Sequence, residues 1–242
     1  MRIPRVFEPQ PLSAGALIDL SDTTIQHVVR ALRMKDGDPI CIFNGEGQEF
    51  PARLRNVDRR SARAELESPR TPPVESALRI HIGQTLSRGE RMDYAVQKAT
   101  EMGVDHITPL TSERCEVKLK SEREDKRLRH WQQVAISACE QSQRTRVPTV
   151  DNVSPLRDWV EQVEADLKLV LHHHTARPLQ TMDAPGSIAL LIGPEGGLTE
   201  AEVAAAQAAG FEPVAFGPRV MRTETAPVAA CAILQHLWGD LG

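Results

Sequence analysis

Apolar and polar positions along the 242-residue chain fall into three regimes. Up to about Glu67 they come in short alternating stretches broken by turn residues. Asp38–Leu54 reads as strand, Asn44-Gly45 turn and strand, and Ala62–Leu66 as another short strand. That pattern predicts a small β-rich domain, barrel-like in form, over residues 1–70. Ser68–Ser76 holds three prolines in nine residues, so an extended linker is expected, with 71–77 as its centre. From Leu78 to Gly242 the period switches repeatedly between strand and helix.

The order in this third regime is specific. Leu78–Gln84 reads as a strand. Ser87–Gly103 reads as a helix, with Met92, Ala95, Val96, Ala99 and Met102 on one face, Gly103 at its stop and Ser87-x-x-Glu90 as a capping box. His106–Leu110 follows as a strand. Ser121-x-x-Glu124 then opens a long helix that buries Leu128, Trp131, Ala135 and Ala138. Leu167–His174 and Ser187–Gly193 are aliphatic enough for strands covered on both faces. A helix from Thr199, with Thr199-x-x-Glu202 as a capping box, a short strand Pro213–Gly217 and a last helix near Thr225–Trp238 complete an α/β pattern with a mostly parallel sheet.

Composition changes this picture little. Apolar residues make up 40% and charged residues 26%. No run of 18 apolar residues offers a membrane span, and Met1–Pro4 leads into polar sequence without the apolar core of a signal peptide. The four cysteines (Cys41, Cys115, Cys139, Cys231) are scattered and form no C-x-x-C pair; reduced thiols, a cytoplasmic location and no metal site are expected. Charge is unevenly spread. Residues 1–146 hold 24 Lys and Arg against 21 Asp and Glu; residues 147–242 hold 5 against 12. A basic front and an acidic rear could orient the chain on nucleic acid, or reflect ordinary surface variation.

Candidate chemistry gathers where strands give way to helices. Leu190–Thr199 (LLIGPEGGLT) packs Gly193, Pro194, Glu195, Gly196 and Gly197 between a buried strand and a helix start. Ligands in open α/β sheets bind outside the carboxyl ends of strands, where glycine lets the main chain come close. No Lys-Ser/Thr follows and no G-x-G-x-x-G is present, so this is not a phosphate loop. Ala215–Ala230 repeats the Gly-Pro device at Gly217-Pro218 and adds Arg219 and Arg222. Leu171–His174 ends a third strand, where only His172 and His174 of the triple histidine would share a face. Each loop alone could be a tight turn; together they could line one pocket.

Leu190–Val203 and Phe216–Ala226, with Lys98–Leu110, Glu113–Val117 and Glu140–Pro148 upstream, resemble the bacterial 16S ribosomal RNA uracil-N3 methyltransferases, members of the SPOUT class that use S-adenosylmethionine, and His27–Asp38 extends the likeness into the small domain. The likeness runs over essentially the whole chain in five ordered motifs. It implies an N-terminal PUA-like β-barrel that binds RNA, a C-terminal domain tied in a trefoil knot, a homodimer, and uridine 1498 of 16S rRNA in the small subunit as target. Motif by motif, the resemblance implies a donor site of Leu171 and His172; Ile192, Gly193, Pro194, Glu195, Gly196 and Gly197; and Phe216, Gly217, Val220, Met221, Arg222, Thr223, Thr225 and Ala226. Phe216 stands where an aliphatic is usual, and Met34–Asp38 and Glu113–Val117 depart slightly from commoner spellings.

Methylation of uracil N3 needs donor and acceptor in line, an unpaired base and loss of the N3 proton. A guanidinium aimed at the ring oxygens would stabilise the resulting negative charge. Arg222 is the first candidate and Arg219 the second. For the base, Glu224 is the nearest carboxylate and Glu140 the runner-up. Blander roles stay open: a helix-start carboxylate for Glu224, a loop-fixing one for Glu195, and mutual pairing for Lys98 and Glu101. The resemblance implies RNA contact for Arg30, Arg33 and Lys35 before the Asp36-Gly37-Asp38 turn, which by themselves read as a solvated face; Arg114 and Arg144 are further RNA candidates, and Arg144 and Arg146 could equally decorate a surface loop. Two other functions compete: methylation of another rRNA or tRNA nucleotide, and a non-catalytic RNA-binding assembly factor. Donor binding would separate enzyme from binder.

Overall fold

The computed structural model describes residues 3–117, 121–172, 179 and 182–242, with the side chains of 121 and 122 left aside. The chain divides into two units, residues 1–75 with 139–147, and residues 76–138 with 148–242.

In the first unit β1 (Arg5–Phe7), β2 (Leu17–Asp19), α1 (Asp22–Ile25), β3 (Pro39–Phe43), β4 (Glu49–Arg55) and β5 (Arg63–Leu66) follow one another, and a π-helical turn over Gln26–Ala31 extends α1. The strands form one sheet in the order β1-β3-β4-β5-β2, antiparallel except for β1 beside β3. Alternation along β4 buries Phe50, Ala52 and Leu54 on one side, where they meet Val6, Ile40, Ile42 and Leu66. The hairpin loop is longer than the expected Asn44-Gly45 turn. It spans 44–48 with Gly45 at φ 87° and Gly47 at φ 95°, a backbone that L side chains rarely adopt.

The proline-rich stretch is anchored rather than free. Arg70 exchanges two main-chain hydrogen bonds with Glu49, and Glu75 is wholly engaged. One Glu75 oxygen accepts from Arg144 Nε and Nη2 at 3.0 and 2.8 Å; the other accepts from the N–H groups of Thr145 and Arg146 at 2.7 and 2.8 Å. Phe7 N–H donates to Glu140 at 3.1 Å. These bonds draw residues 139–147 into the first unit, which a reading with one boundary near Leu78 does not anticipate.

The second unit contains β6 (Arg79–Thr85), α2 (Arg91–Glu101), β7 (His106–Thr111), most of α3 (Ser121–Ser142), β8 (Thr149–Val150), β9 (Ser154–Pro155), α4 (Leu156–Gln162), β10 (Leu167–Leu171), β11 (Ser187–Ile192), α5 (Glu200–Ala208), β12 (Glu212–Val214) and α6 (Thr225–Trp238). Its sheet runs β12-β10-β11-β6-β7-β8, with β9 also on β7, and every pairing is parallel. Both faces are covered, which is why β11 is aliphatic without a break. Ile188, Leu190 and Ile192 meet Met92, Val96, Trp131, Ala230 and Leu234 of α2, α3 and α6. Ala189 and Leu191 meet Trp159, Ala206 and Phe211 around α4 and α5.

Several local expectations shift. Ser87 does not cap α2: the helix starts at Arg91, after Gly89 takes φ 61°, and the Ser87 hydroxyl bonds the Thr85 carbonyl instead. The strand expected over Pro213–Gly217 ends at Val214, which releases Ala215 and Phe216 into a loop. β10 ends at Leu171; His173 and His174 lie outside the described residues. α1, the π-helical turn, β8, β9 and α4 have no counterpart in the sequence reading. Among the described residues no helix is long and apolar enough to cross a membrane, and no cluster of three His, Cys, Asp or Glu could hold a metal ion.

Candidate functional site

Because all strands of the second unit run parallel, their carboxyl ends share one edge of the sheet. His172 leaves β10 with its N–H bonded to Val214 O at 2.9 Å, and Ile192 of β11 lies in register with Gln84 of β6. Loops 193–199 and 215–224 start from the same edge. They enclose a cleft of about 680 Å³ whose walls are Leu171 and His172, Ile192–Leu198, Val214–Gly217, Arg219–Glu224 and Ala226, with Arg91 and Arg114 reaching in.

Local chemistry holds these loops in shape. Gly197 N–H donates to Pro194 O at 2.9 Å, closing a turn with Gly197 at φ 69°. A side chain at Gly193 would press on Leu198, its Cβ only 3.0 Å from Cγ. Thr199 then starts α5 with a complete capping box, its hydroxyl accepting from Glu202 N–H while Glu202 accepts from Thr199 N–H. The second Glu202 oxygen accepts from Glu113 N–H at 2.8 Å and ties in the loop after β7. Arg114 donates to Gly196 O at 3.1 Å.

The two Gly-Pro loops are linked by one hydroxyl. Thr223 Oγ1 donates to Gly193 O at 2.9 Å and accepts from Gln84 Nε2 at 3.1 Å. Gln84 is 1% exposed, and its Oε1 has no hydrogen-bond partner. Glu195 receives Arg91 Nη1 at 2.8 Å. Partial burial works to raise the Glu195 carboxyl, but its own backbone N–H and the Arg91 guanidinium outweigh this and hold it below the usual carboxylate range. Glu224 sits at the start of α6 yet makes no capping hydrogen bond. Its Oε1 lies 3.8 Å from Arg91 Nε, and its Oε2 is buried without a partner. The carboxylate thus caps no N–H of the helix, although its place at the N-terminus of α6 still suits the helix dipole.

Of the residues singled out in sequence, those of all three loops line the cleft together with Arg219, Arg222, Glu224 and Arg114; Thr225 does not. It is exposed at the first turn of α6, where its N–H bonds Arg222 O. Glu140 does not line the cleft either. It belongs to the first unit, where it accepts from Phe7 N–H, and burial pushes its carboxyl above the usual range. Arg144 is 4% exposed and closed on Glu75, so its guanidinium is not offered to a phosphate. Arg30, Arg33 and Lys35 are exposed beside the π-helical turn, and Lys98 pairs with Glu101 at 2.7 Å.

Residues 74–235 match the model of an RNA methyltransferase domain, and residues 20–67 that of an RNA methyltransferase PUA domain. The ribosomal RNA small subunit methyltransferase E of Buchnera aphidicola from Schizaphis graminum is 34% identical over 242 residues, spanning 99% of this chain and 98% of that protein. This chain belongs to the small-subunit rRNA methyltransferase E family. The Bacillus subtilis member is 26% identical over 94% of this chain and 93% of its own. Two solved structures match over the full length of both chains. The Neisseria gonorrhoeae methyltransferase E bound to S-adenosylmethionine has 41% identity and a TM-score of 0.94. A Legionella pneumophila methyltransferase in complex with the same cofactor has 38% and 0.96.

Two residues at the cleft, Arg91 and Gln84, have no place in the sequence reading of the site. Both stand outside the Gly-Pro loops, Arg91 104 residues before Glu195 and Gln84 139 before Thr223. Arg91 had one usable sign: a cation in the first turn of a helix opposes the helix dipole and needs a local counter-charge. Gln84 had another, as an amide near the carboxyl end of a strand in a doubly covered parallel sheet, where it requires a buried partner.

Proposed function

We propose that this chain transfers a methyl group from S-adenosylmethionine to N3 of uridine 1498 of 16S rRNA in the small ribosomal subunit, acting as a cytoplasmic homodimer. The convergence of three strand-end loops on one cleft carries the reading. At about 680 Å³ it has the size of a cofactor site. Its wall combines Leu171, Ile192, Phe216 and Met221, suited to an adenine ring, with main-chain groups of Gly193–Gly197, suited to polar recognition. The chain's residues fit the donor that two of its relatives hold. The knotted path implied by the resemblance belongs to the same proposal.

When bound, the donor supplies an activated methyl on a sulfonium that departs as a neutral thioether. Everything else falls to the chain. Loops 193–199 and 215–224 fix the direction of approach and keep water away. Arg222, exposed on the cleft wall, faces the uracil oxygens, where its guanidinium neutralises charge as N3 is deprotonated. Glu224 Oε2, buried and unpartnered, takes the N3 proton. Arg219 is the alternative guanidinium.

Nucleoside mass spectrometry of 16S rRNA from a strain lacking the gene tests the target. Loss of 3-methyluridine, restored by the wild-type gene and not by Arg222→Ala, is expected. Survival of that nucleoside in the deletion strain would remove the assignment. Calorimetry with S-adenosylmethionine separates an enzyme from a binder that merely keeps the fold, and light scattering checks the dimer.

A further inference from the structure

We infer that Arg91 is the positioning residue of the proton acceptor: its guanidinium, bridging Glu195 and Glu224, orients the Glu224 carboxylate so that Oε2 alone is left to receive the substrate proton. The inference rests on the reading of Glu224 given above and adds a residue that lies in neither Gly-Pro loop.

Three observations carry it. First, Arg91 occupies the first position of α2, where a cation opposes the helix dipole and gains nothing from its own helix. Its placement is accounted for only by what it meets in the cleft. Second, the fork is divided: Nη1 donates to Glu195 at 2.8 Å, while Nε stands 3.8 Å from Glu224 Oε1. One cation thereby joins the loop after β11 to the start of α6, and with Thr223 it is the second tie between the two loops. Third, the carboxylate it faces is asymmetric. Glu224 Oε1 has a counter-charge, whereas Oε2 is buried with no hydrogen-bond donor and makes no cap for α6. A buried carboxylate oxygen without a donor is costly in a resting protein and is accounted for when a ligand brings the proton. Arg91 thus sets which oxygen is free and where it points, without itself taking the proton.

Arg91→Gln, Arg91→Lys, Glu224→Gln and the double variant Arg91→Gln/Glu224→Gln are compared in single-turnover methylation of small subunits, alongside donor affinity by calorimetry and thermal midpoint. Glutamine suits a helix start, so Arg91→Gln is expected to fold. Expected is a fall in kcat of about ten- to a hundredfold for Arg91→Gln, the scale of losing one close counter-charge. Donor affinity should fall far less than the rate, and Arg91→Lys should recover part of the rate. Against the Glu224→Gln background, Arg91→Gln should cost nothing further, since both losses act through one group. A wild-type rate for Arg91→Gln, a loss that multiplies with that of Glu224→Gln, or weakened donor binding at unchanged kcat would each overturn the inference while leaving the function intact. A wild-type rate for Glu224→Gln would remove the proton-acceptor reading itself, and Arg91's role with it. If Arg91→Gln does not fold, Arg91→Lys takes its place: its loss of rate must likewise vanish in the Glu224→Gln background.

Discussion

Arg144 and Arg222 look alike along the chain, each in a short basic motif, yet the fold uses them differently. Arg144 is closed on Glu75, the pair 5% and 18% exposed in their side chains. Removing one partner of such a pair leaves the other charge buried, at about 3–5 kcal/mol. Glu75→Gln should lower stability on that scale, read as a drop in the urea midpoint. Arg222 stands exposed on the cleft wall. Arg222→Ala should leave the midpoint within about 0.5 kcal/mol of the wild type while methylation is lost. Gly83 is a position where the absence of a side chain matters. A Cβ there would come within 2.6 Å of the Trp159 ring and 2.8 Å of Leu110 Cδ1. Gly83→Ala should cost about 1–3 kcal/mol by overpacking, measurable in the same denaturation series.

At the level of elements, the lower half of the sheet is tied by a polar cluster. Asp151, just after β8, accepts from the Thr108 hydroxyl at 2.8 Å and has His81 and His106 at 3.5 and 3.8 Å. Asp151 raises His106 above its ordinary 6.5 by accepting a hydrogen bond, an effect larger than the opposing one of burial. Burial works to raise Asp151, but His106, His81 and Thr108 together hold it well below its ordinary 3.8. A raised histidine contributes stability fully below pH 6.5 and loses it as pH climbs through the raised value. A depressed aspartate contributes above 3.8 and loses it as pH falls through the lowered value. The cluster is therefore strongest between these two ordinary values. Thermal midpoints from pH 4 to 9 should fall on the alkaline side in the wild type, and this fall should shrink in Asp151→Asn. None of this was legible in the sequence, because Asp151 lies in a loop between two-residue strands that carry no period of their own. α6, by contrast, has the bounds its pattern predicts, and the Thr199 capping box forms as spelled. Local chemistry was readable at α6 and Thr199 because capping partners and the faces of one element lie within a few residues. It failed at Ser87, where a left-handed glycine delays the helix. Arg91 and Gln84 were hidden because their partners are distant in sequence and near only in the fold.

Across the whole molecule the thiols report packing. Burial pushes Cys41, Cys139 and Cys231 up to about 12, and Cys115 upward as well. At pH 8 the folded chain should resist alkylation, and all four cysteines should react once urea unfolds it; fast labelling of the native chain would contradict this packing. The larger consequence comes from the segment 139–147, which completes the unit that begins at the N-terminus. During synthesis the first 75 residues emerge with the Glu75 carboxylate and the Phe7 amide still facing water, and they wait for a strip of chain encoded well downstream. Until residue 147 clears the exit tunnel this unit stays unfinished, and a gene fragment cut at the apparent domain border would leave it so.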